Sequence, residues 1–572
     1  MPQAHELIVQ FLGEAGIDAV FGIPGGGTGQ IFTNLVGKEP AINTYLARHE
    51  QTAAIMADAY ARATGKPAVI MGQGLFMGSN ASFGIMEAML SSSPMVVLTD
   101  TSDGGVGQHP ANQSGAGEYG SIDLHNIFRS MTKYTTLATS PKEAALGAQL
   151  AIKHATSGRP GPTCLLMRSA SIGGEVDLET PPFIHDTAGY LNTAKPQAAP
   201  ADIERAVEIL SQSRRPVIVA GNGVHMARAH GLLQQLAEQW NAPVATSYKG
   251  KSAIAETHPQ SVGMVGIYGQ AAANQAVGDA DTVIVVGAKL SPQDTVRERP
   301  TVFNPKGQRI IQIDIDDRNA GWTFPVELGL IGDAGSILGQ LVEASADASA
   351  STSGQRSEWA GALSGRKAEA GFYEDAGLHT DSSPVLPQRV VRVLQETMPA
   401  DTVYALDAGN NRTWMAHLFQ SQQAHTFFCP GGTAGMGWGL PASVGLQIAY
   451  PGRPVVCVTG DGGYMMTVNA LSTAMQYNLP IICVVFNDGA LGMVRHHQAP
   501  GQYIASEFAE TDNAAVARGF GCFGVQVADS RDLPQALRDA QASGLPAVVD
   551  VLIDRGPSPD DWRADLRTAG ET

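Results

Sequence analysis

The chain has 572 residues, of which 44% are hydrophobic, and its formal net charge is −17. This length favours about three domains, and the apolar fraction excludes a disordered chain. The acidic balance argues against nonspecific nucleic-acid binding. Because the sequence has neither a signal-like N-terminus nor an apolar run of about 18 residues, we expect a cytoplasmic protein without a membrane span.

The first third of the chain alternates strand-like and helix-like segments, with strands predicted at 19–23, 67–72 and 94–100. The stretch "EQTAAIMADAYARATG" predicts a helix that ends before Gly65, a residue type typical of helix C-termini. We assign residues 1–175 to a first domain. A Pro-rich stretch over 176–198 follows and is interpreted as a linker.

The middle third predicts strands within 215–223, 242–248, 281–290 and 308–316, which gives a second domain over 199–342. Residues 343–382 begin with "EASADASASTSGQ", a stretch of low complexity, and are interpreted as a second linker.

The last third predicts strands within 401–409, 453–462, 479–489 and 545–554, which gives a domain over 383–556 and a polar tail over 557–572. Strands that alternate with helices indicate an α/β protein, here with three doubly wound parallel-sheet domains. Five Cys form no CxxC pair, and Cys457 and Cys483 lie in apolar runs, so we predict buried thiols in a reducing compartment.

Two turn motifs follow neighbouring strand candidates in the last domain. Asp461 lies in Gly-Asp-Gly and Asn487 in Asn-Asp-Gly, with "MMTVNALSTAMQY" predicting a helix between them. A strand–helix–strand crossover brings both strand ends to one edge of the sheet. Either motif alone is typical of an ordinary turn. Together they predict a site where hard oxygen ligands hold Mg²⁺ or Ca²⁺ and the Gly-rich turn holds a phosphate.

This pair resembles the thiamine-diphosphate signature, and most of the chain resembles the acetohydroxyacid synthase family, through "GGTAGMGWGLPA" and "GMVRHHQ" among other segments. The resemblance implies that Asp461, Asn487 and the Gly489 carbonyl bind Mg²⁺. It further implies that the cofactor is bound by Gly409, Asn410, Asn411, Gly435, Met436, Gly460, Asp461, Gly462, Gly463, Asn487, Gly489, Ala490, Leu491 and Gly492.

Two residues are catalytic candidates through the same resemblance. Glu50, in "RHE" at a helix start, matches the carboxyl group that bonds the aminopyrimidine ring, although a helix N-terminal carboxylate without that role is the alternative. Met436 matches the residue that bends the cofactor, and a core Met is the alternative. The resemblance implies that Glu50 and the diphosphate site meet across a dimer interface, in a homodimer or homotetramer.

The substrate pocket is expected around Gly26, Gly27, Gln73 and Asn80, which lie in Gly-rich loops after strands of the first domain, and around His109, Met493, His496 and His497. His109 is interpreted either as an acid–base group or as a solvated loop residue. His496 and His497 replace the Gln-Trp of the family, which indicates a different substrate or acceptor.

We therefore expect a thiamine-diphosphate- and Mg²⁺-dependent lyase or carboligase that acts on a 2-oxo acid or a related small-molecule donor. A 2-hydroxyacyl-CoA lyase or oxalyl-CoA decarboxylase type of enzyme and a flavin-coupled, pyruvate oxidase-like enzyme are the alternatives. The middle domain carries Lys289-Leu290-Ser291 where flavin-binding members have an Arg-rich motif, so FAD, an ADP-type nucleotide and an empty site all remain open there.

Overall fold

The computed structural model describes residues 1–38, 41–118, 120–346, 348–350 and 353–566. The chain forms three α/β domains, each built on a sheet of six parallel strands among the described residues. Helices cover the sheets, and this layering buries long apolar runs on both faces of every sheet. The predicted fold class is confirmed.

The first domain has the strand order β2-β1-β3-β4-β6-β5. Its strands are β1 (Ala19–Gly22), β2 (Asn43–Leu46), β3 (Ala68–Gly72), β4 (Met95–Asp100), β5 (Tyr134–Ala138) and β6 (Pro162–Met167). Its helices are α1 (Ala4–Glu14), α2 (Thr28–Asn34), α3 (Glu50–Thr64), α4 (Gly74–Ser79), α5 (Ser82–Ser91), α6 (Leu124–Met131), α7 (Pro141–Thr156) and α8 (Ser169–Ile172). The edge strands β2 and β5 escaped the sequence analysis because they are partly exposed and lack a continuous apolar run.

The middle domain has the strand order β12-β11-β10-β7-β8-β9. Its strands are β7 (Pro216–Ala220), β8 (Val244–Thr246), β9 (Ser261–Met264), β10 (Thr282–Val286), β11 (Arg309–Asp314) and β12 (Leu328–Ile331). Its helices are α9 (Pro200–Gln212), α10 (Asn222–Met226), α11 (His230–Trp240), α12 (Ala271–Asp279), α13 (Ala334–Ala344) and α14 (Ser353–Glu369).

The helix α14 lies inside the stretch that the sequence analysis interpreted as a linker. Trp359 and Leu363 of this helix are buried in the core of the middle domain, and Trp359 Nε1 donates to Pro216 O at 3.3 Å. The Ala- and Ser-rich composition hid these two apolar positions. Part of this linker, residues 347, 351 and 352, lies outside the described residues.

The last domain has the strand order β14-β13-β15-β16-β18-β17. Its strands are β13 (Val403–Leu406), β14 (Phe427–Phe428), β15 (Val455–Gly460), β16 (Ile482–Asn487), β17 (Phe523–Val527) and β18 (Ala547–Leu552). Its helices are α15 (Pro387–Thr397), α16 (Asn410–Leu418), α17 (Gly439–Ala449), α18 (Asp461–Thr467), α19 (Ala470–Gln476), α20 (Gly492–His496), α21 (Asn513–Gly519) and α22 (Leu533–Ala542).

The crossover between β15 and β16 differs in detail from the prediction. It contains two short helices, α18 and α19, instead of one, and Met465 on the predicted apolar face is 46% exposed. The tail folds back as far as residue 566: Trp562 stacks on His417 at 4.1 Å between ring centroids. The last six residues of the predicted tail, 567–572, lie outside the described part of the chain.

The first and last domains pack together through α3 and α17. The helices approach so closely that a Cβ on Gly445 would lie 2.3 Å from the carbonyl oxygen of Met56, so only Gly fits there. This contact brings Gln51, at the start of α3, next to Gly437, just before α17. The start of α3, which carries Glu50, and the turn before α17, which carries Met436, are therefore neighbours within one chain.

Two further expectations can be compared with the described residues. All five cysteines are free and buried, as predicted for Cys457 and Cys483. Within the described ranges, no helix combines the length and the apolar character that crossing a bilayer requires.

Candidate functional site

The site lies at the carboxyl edge of the last sheet, where β13, β15 and β16 end side by side. Gly460 pairs with Phe486 in the parallel register of β15 and β16, so the turns after both strands are adjacent. A cleft of about 340 Å³ opens here, and both turns line it. The predicted convergence of two strand ends is therefore present.

Asn487, predicted to bind the cation, ends β16. Its side-chain Nδ2 donates to Thr511 O at 3.3 Å and to Asp550 Oδ1 at 3.0 Å. Asp550 is fully buried and accepts a further bond from Asn513 Nδ2. These bonds tie β16 to the buried Asp550 network through the amide nitrogen, so Asn487 stays a predicted cation ligand through its Oδ1.

The next residue, Asp488, lines the cleft. Its carboxylate is close enough to Asp461 to raise the pKa of that group, and Asp488 Oδ1 accepts from Ala490 N at 3.2 Å. The Gly489 carbonyl accepts from Phe508 N at 2.7 Å. A carbonyl oxygen has two lone pairs, so Gly489 stays a predicted cation ligand.

The electrostatics of these two carboxyl groups point to a missing positive charge. Burial, and then the charge of Asp488, raise the pKa of Asp461 to about 7, although backbone N–H groups of Gly462, Gly489 and Ala490 oppose the shift. Burial likewise raises the pKa of Asp488, and the nearby Arg555 partly offsets this. Two like charges forced together away from water are a typical signature of a cation site.

The Gly-rich turns leave little room for side chains. A Cβ on Gly463 would lie 2.8 Å from Asp407 Oδ2, and one on Gly492 would lie 2.6 Å from Asp488 Oδ2. Gly462 faces Met436 and Leu491, at 3.1 and 3.2 Å from its Cβ position. With Gly460, these residues let a ligand approach the backbone closely, as a diphosphate requires.

The turn after β13 completes the cleft. Gly409 has φ +123°, which only Gly adopts readily. Asn410 lines the cleft and its Nδ2 lies 3.1 Å from His496 Nδ1. Asn411 Nδ2 donates to the carbonyls of Asp407 and Val458, at 3.0 and 3.1 Å, so its amide braces β13 against β15.

The turn that carries Met436 is held by Asp407, a residue that the sequence analysis did not single out. Asp407 is fully buried, and its carboxylate accepts from the backbone N–H groups of Ala408, Gly437 and Gly439 and from the Thr459 hydroxyl. Its place directly after β13, at the same sheet edge as Asp461, is the signal that could have found it. Gly435 lies against the Phe83 ring, 2.4 Å from its Cβ position.

Glu50 begins α3 and is 9% exposed. Its Oε2 accepts from Asn80 Nδ2 at 2.9 Å. Asn80, predicted to line the substrate pocket, therefore orients the predicted catalytic carboxyl group. The apolar neighbours Ala53, Ala54 and Met56 are fully buried, which gives Glu50 the dry surroundings that the sequence indicated.

The other predicted pocket residues of the first domain meet around Asp100. The buried Asp100 carboxylate accepts from Gly27 N at 2.8 Å and lies 2.6 Å from the Cβ position of Gly26. Gln73 lies beside them and donates through Nε2 to Ser102 Oγ and to Gln113 Oε1. Asp100 ends β4, and the sequence analysis missed it because a single Asp after a strand is a common turn residue.

The predicted pocket residues His109, Met493, His496 and His497 do not lie together in one pocket. His109 lies in an exposed loop, with Nδ1 3.8 Å from Asp103 Oδ1. His496 lines the cleft, and its Nε2 lies 3.1 Å from Arg555 O. His497 is more exposed, and its Nε2 lies 3.6 Å from Asp560 in the tail. Met493 lines both the cleft and a second cavity.

That second cavity measures about 580 Å³ and lies between the middle domain and its neighbours. Its wall includes the Gly223 and Gly287 turns, the cations Lys249, Lys289 and Arg159, and the carboxylates Asp314 and Asp333. Gly223 and Gly287 touch, since a Cβ on Gly287 would lie 2.4 Å from the Gly223 Cα. Among the described residues, no three or more His, Cys, Asp and Glu side chains are grouped to hold a metal ion.

Comparisons with known proteins agree across the chain. Residues 2–117 match the thiamine pyrophosphate enzyme N-terminal TPP binding domain, 203–341 match the central domain and 407–551 match the C-terminal TPP binding domain. A probable acetolactate synthase large subunit from Methanocaldococcus jannaschii is 32% identical, with 96% of this chain and 91% of that protein covered.

Two further relatives are also acetolactate synthase large subunits. The acetolactate synthase large subunit of Parasynechococcus marenigrum is 32% identical over 95% of this chain and 86% of its own length. The acetolactate synthase isozyme 3 large subunit of Escherichia coli K12 is 30% identical over 94% of this chain and 92% of its own length.

Proposed function

This chain belongs to the thiamine pyrophosphate enzyme family, and we propose that it is a carboligase that joins or cleaves carbon–carbon bonds next to a carbonyl group, as an acetolactate synthase does. The observation that carries the proposal is the sheet edge where the buried Asp461 and the partly buried Asp488 lie close enough for Asp488 to raise the pKa of Asp461, beside Gly-rich turns. A cation with a diphosphate satisfies both features at once.

The residues at the cleft fit the cofactor. Asp461, the Asn487 amide oxygen and the Gly489 carbonyl would hold Mg²⁺, with Asp488 beside them, and Mg²⁺ typically takes one or two carboxylates with phosphate oxygens and water. Gly460, Gly462 and Gly463 would hold the diphosphate through their backbone, and Gly409, Asn410, Leu491 and Gly492 form the remaining wall. Gly435 and Met436 lie at the end of this cleft nearest to α3.

When bound, thiamine diphosphate supplies a carbon nucleophile that adds to the carbonyl of a 2-oxo acid and accepts the electrons released with CO₂. The protein's own part begins with Glu50, whose carboxyl group would hydrogen-bond the pyrimidine ring of the cofactor. Asn80 fixes that carboxyl group through its 2.9 Å bond. Met436 would support the bent cofactor and exclude water from it.

A substrate chamber built from the loops of the first domain fits this chemistry. Asp100 holds Gly27 and lies against Gly26, and Gln73 lies beside them, so this region leaves space for a small donor. We place His496 at the cleft as a group that can donate a proton, whereas His109 and His497 lie at its exposed edges. A homodimer or homotetramer would enclose the chamber with a second copy.

The second cavity supports a nucleotide in the middle domain. Contact between the Gly223 and Gly287 turns, with Lys249 and Lys289 beside them, suits a diphosphate, and Asp314 suits a ribose hydroxyl. FAD and ADP share this chemistry. A yellow purified protein that consumes O₂ with pyruvate would favour a flavin-coupled oxidase over a carboligase.

The test is a binding and activity panel. Wild-type protein should bind thiamine diphosphate only with Mg²⁺, measured by tryptophan fluorescence, and should release CO₂ from a 2-oxo acid and form a hydroxy-keto product. Glu50→Gln should bind the cofactor with nearly unchanged affinity but turn over slower by a factor of about a hundred or more. Glu179→Gln, an exposed surface change, is the matched control. Full turnover by Glu50→Gln, or no cofactor binding by the wild type, contradicts the proposal.

A further inference from the structure

The cofactor cleft and the middle-domain cavity share part of one wall. Arg412, Ala434 and Met493 line both of them. Arg412 lies in the first turn of α16, directly after Asn410 and Asn411, and Ala434 is two residues before Met436. The shared wall therefore stands at the end of the cleft where the proposed function places the reacting atoms.

Arg412 is a partly buried cation that forms no ion pair within the described part of the chain. Its Nη1 donates to the Pro430 carbonyl at 3.0 Å, its Nε is buried without a hydrogen-bond partner, and its guanidinium lies 5.1 Å from the centre of the Tyr248 ring. Burial opposes its charge, while Tyr248, Asp407 and Glu87 act from a distance to raise its pKa. Arg62, by contrast, contacts both Asp58 and Glu87 directly.

An unpaired buried charge is costly, and proteins normally compensate it. Arginine cannot relieve that cost by losing its proton, because the guanidinium stays charged throughout the ordinary pH range. A lysine can: burial lowers the pKa of Lys249, in the same cavity wall, to about 8. The position of Arg412 therefore calls for an anion that comes from a ligand.

We propose that Arg412 binds the carboxylate of the substrate and so restricts this enzyme to acids. This inference rests on the proposed function, and it names a recognition residue for that reaction. A planar guanidinium matches a carboxylate with two parallel hydrogen bonds. Lys249 and Lys289 line the middle-domain cavity and can contact the phosphates of a nucleotide there. Of these three cations, only Arg412 also lines the cofactor cleft.

The test compares Arg412→Gln, Arg412→Lys and the surface control Arg392→Gln, which removes a cation from α15 in the same domain. Each is prepared with thiamine diphosphate and Mg²⁺, and KM and kcat are measured with pyruvate and with 2-oxobutanoate. Arg412→Gln should raise KM about ten- to a hundredfold, since a hydrogen bond to a charged group is lost. Arg412→Lys should retain part of the affinity for the 2-oxo acid, because lysine keeps the positive charge but lacks the two parallel N–H donors of the guanidinium.

Pyruvate binding is also measured by calorimetry on Glu50→Gln holoenzyme with and without Arg412→Gln, so that chemistry does not mask affinity. If the wild type fails to bind thiamine diphosphate, the proposed function is wrong, independently of Arg412. If the cofactor binds, an unchanged pyruvate affinity in Arg412→Gln overturns the role of Arg412, and so does a wild type that binds no 2-oxo acid. A loss confined to ADP or FAD binding would overturn it as well.

Discussion

Both oxygens of the Asp407 carboxylate accept a hydrogen bond from the backbone N–H of Gly437, at 2.9 and 3.0 Å. Gly437 has φ +82°, a left-handed conformation that a side chain would strain. These two bonds therefore hold the turn that contains Met436. Because Asp407 also abuts Gly463, one buried carboxylate links the cofactor-bending turn to the diphosphate turn.

Asp407→Asn is expected to loosen this link. An amide has one acceptor oxygen and turns its NH₂ towards backbone N–H donors, so the folded state loses about 1–3 kcal/mol. We expect a lower melting temperature and an affinity for thiamine diphosphate weakened about tenfold. Asp401→Asn, a change at an exposed carboxylate before β13, is the control. Equal cofactor affinity in Asp407→Asn and wild type would show that the turn carrying Met436 does not depend on the Asp407 carboxylate.

The ligand set of the cation can be separated by a pair of neighbouring changes. Asp488→Ala removes a carboxylate from the cleft, so the Mg²⁺ concentration needed for half-maximal cofactor binding should rise at least about tenfold. Asn487→Ala removes the predicted amide ligand, so it should also raise that Mg²⁺ concentration at least about tenfold, and it should lower stability by about 1–2 kcal/mol through the lost bond to Asp550. Cofactor titrations at several Mg²⁺ concentrations measure both variants. An unchanged Mg²⁺ requirement in Asn487→Ala would remove Asn487 from the ligand set.

Three histidines predict a dependence of stability on pH. His225, His230 and His425 pack with ring centroids 5.1–5.2 Å apart between the middle and last domains. Burial, with charge from neighbouring groups, lowers the pKa of His225 to about 3, that of His230 to about 4, and that of His425 well below its usual value. Arg228 donates to His425, and it disfavours a second positive charge there.

Because the folded pKa values lie below the unfolded value of about 6.5, the unfolded chain takes up more protons as the pH falls. Stability is fully present above pH ~6.5 and declines below it. His225 and His230 together should cost about 3 kcal/mol between pH 7.5 and 5.5. Urea unfolding at the two pH values measures this together with the similar contribution of His425, and His230→Gln should reduce the total difference by about a third. An identical pH dependence in that variant would exclude His230 as a source.

The helix in the former linker stretch gives a stability prediction. Trp359 is 7% exposed and packs into the middle-domain core, so Trp359→Ala should lower the free energy of unfolding by about 3–5 kcal/mol. Trp322, which is 76% exposed, provides the matched control, and Trp322→Ala should change stability little. Thermal and urea unfolding compare the two. Equal, small effects would mean that α14 adds little to the domain.

The sequence by itself determined the strand-rich α/β plan, the three domains and the neighbouring turns after β15 and β16. Continuous apolar runs mark buried parallel strands because both faces of such a strand are covered. The edge strands β2 and β5 and the helix α14 lack that signal, since partial exposure or an Ala- and Ser-rich composition dilutes it.

Only the tertiary structure decided which side chains face the cleft. Successive residues at a strand end point to opposite sides, so Asn487 and Asp488 have different surroundings: the Asn487 amide nitrogen contacts Asp550, and Asp488 lines the cleft. The same holds for Asp407, Asp100 and Arg412, whose roles depend on partners that lie far away in sequence or on a cavity wall shared by two domains. Residue order specifies which groups are available, and packing specifies where they point.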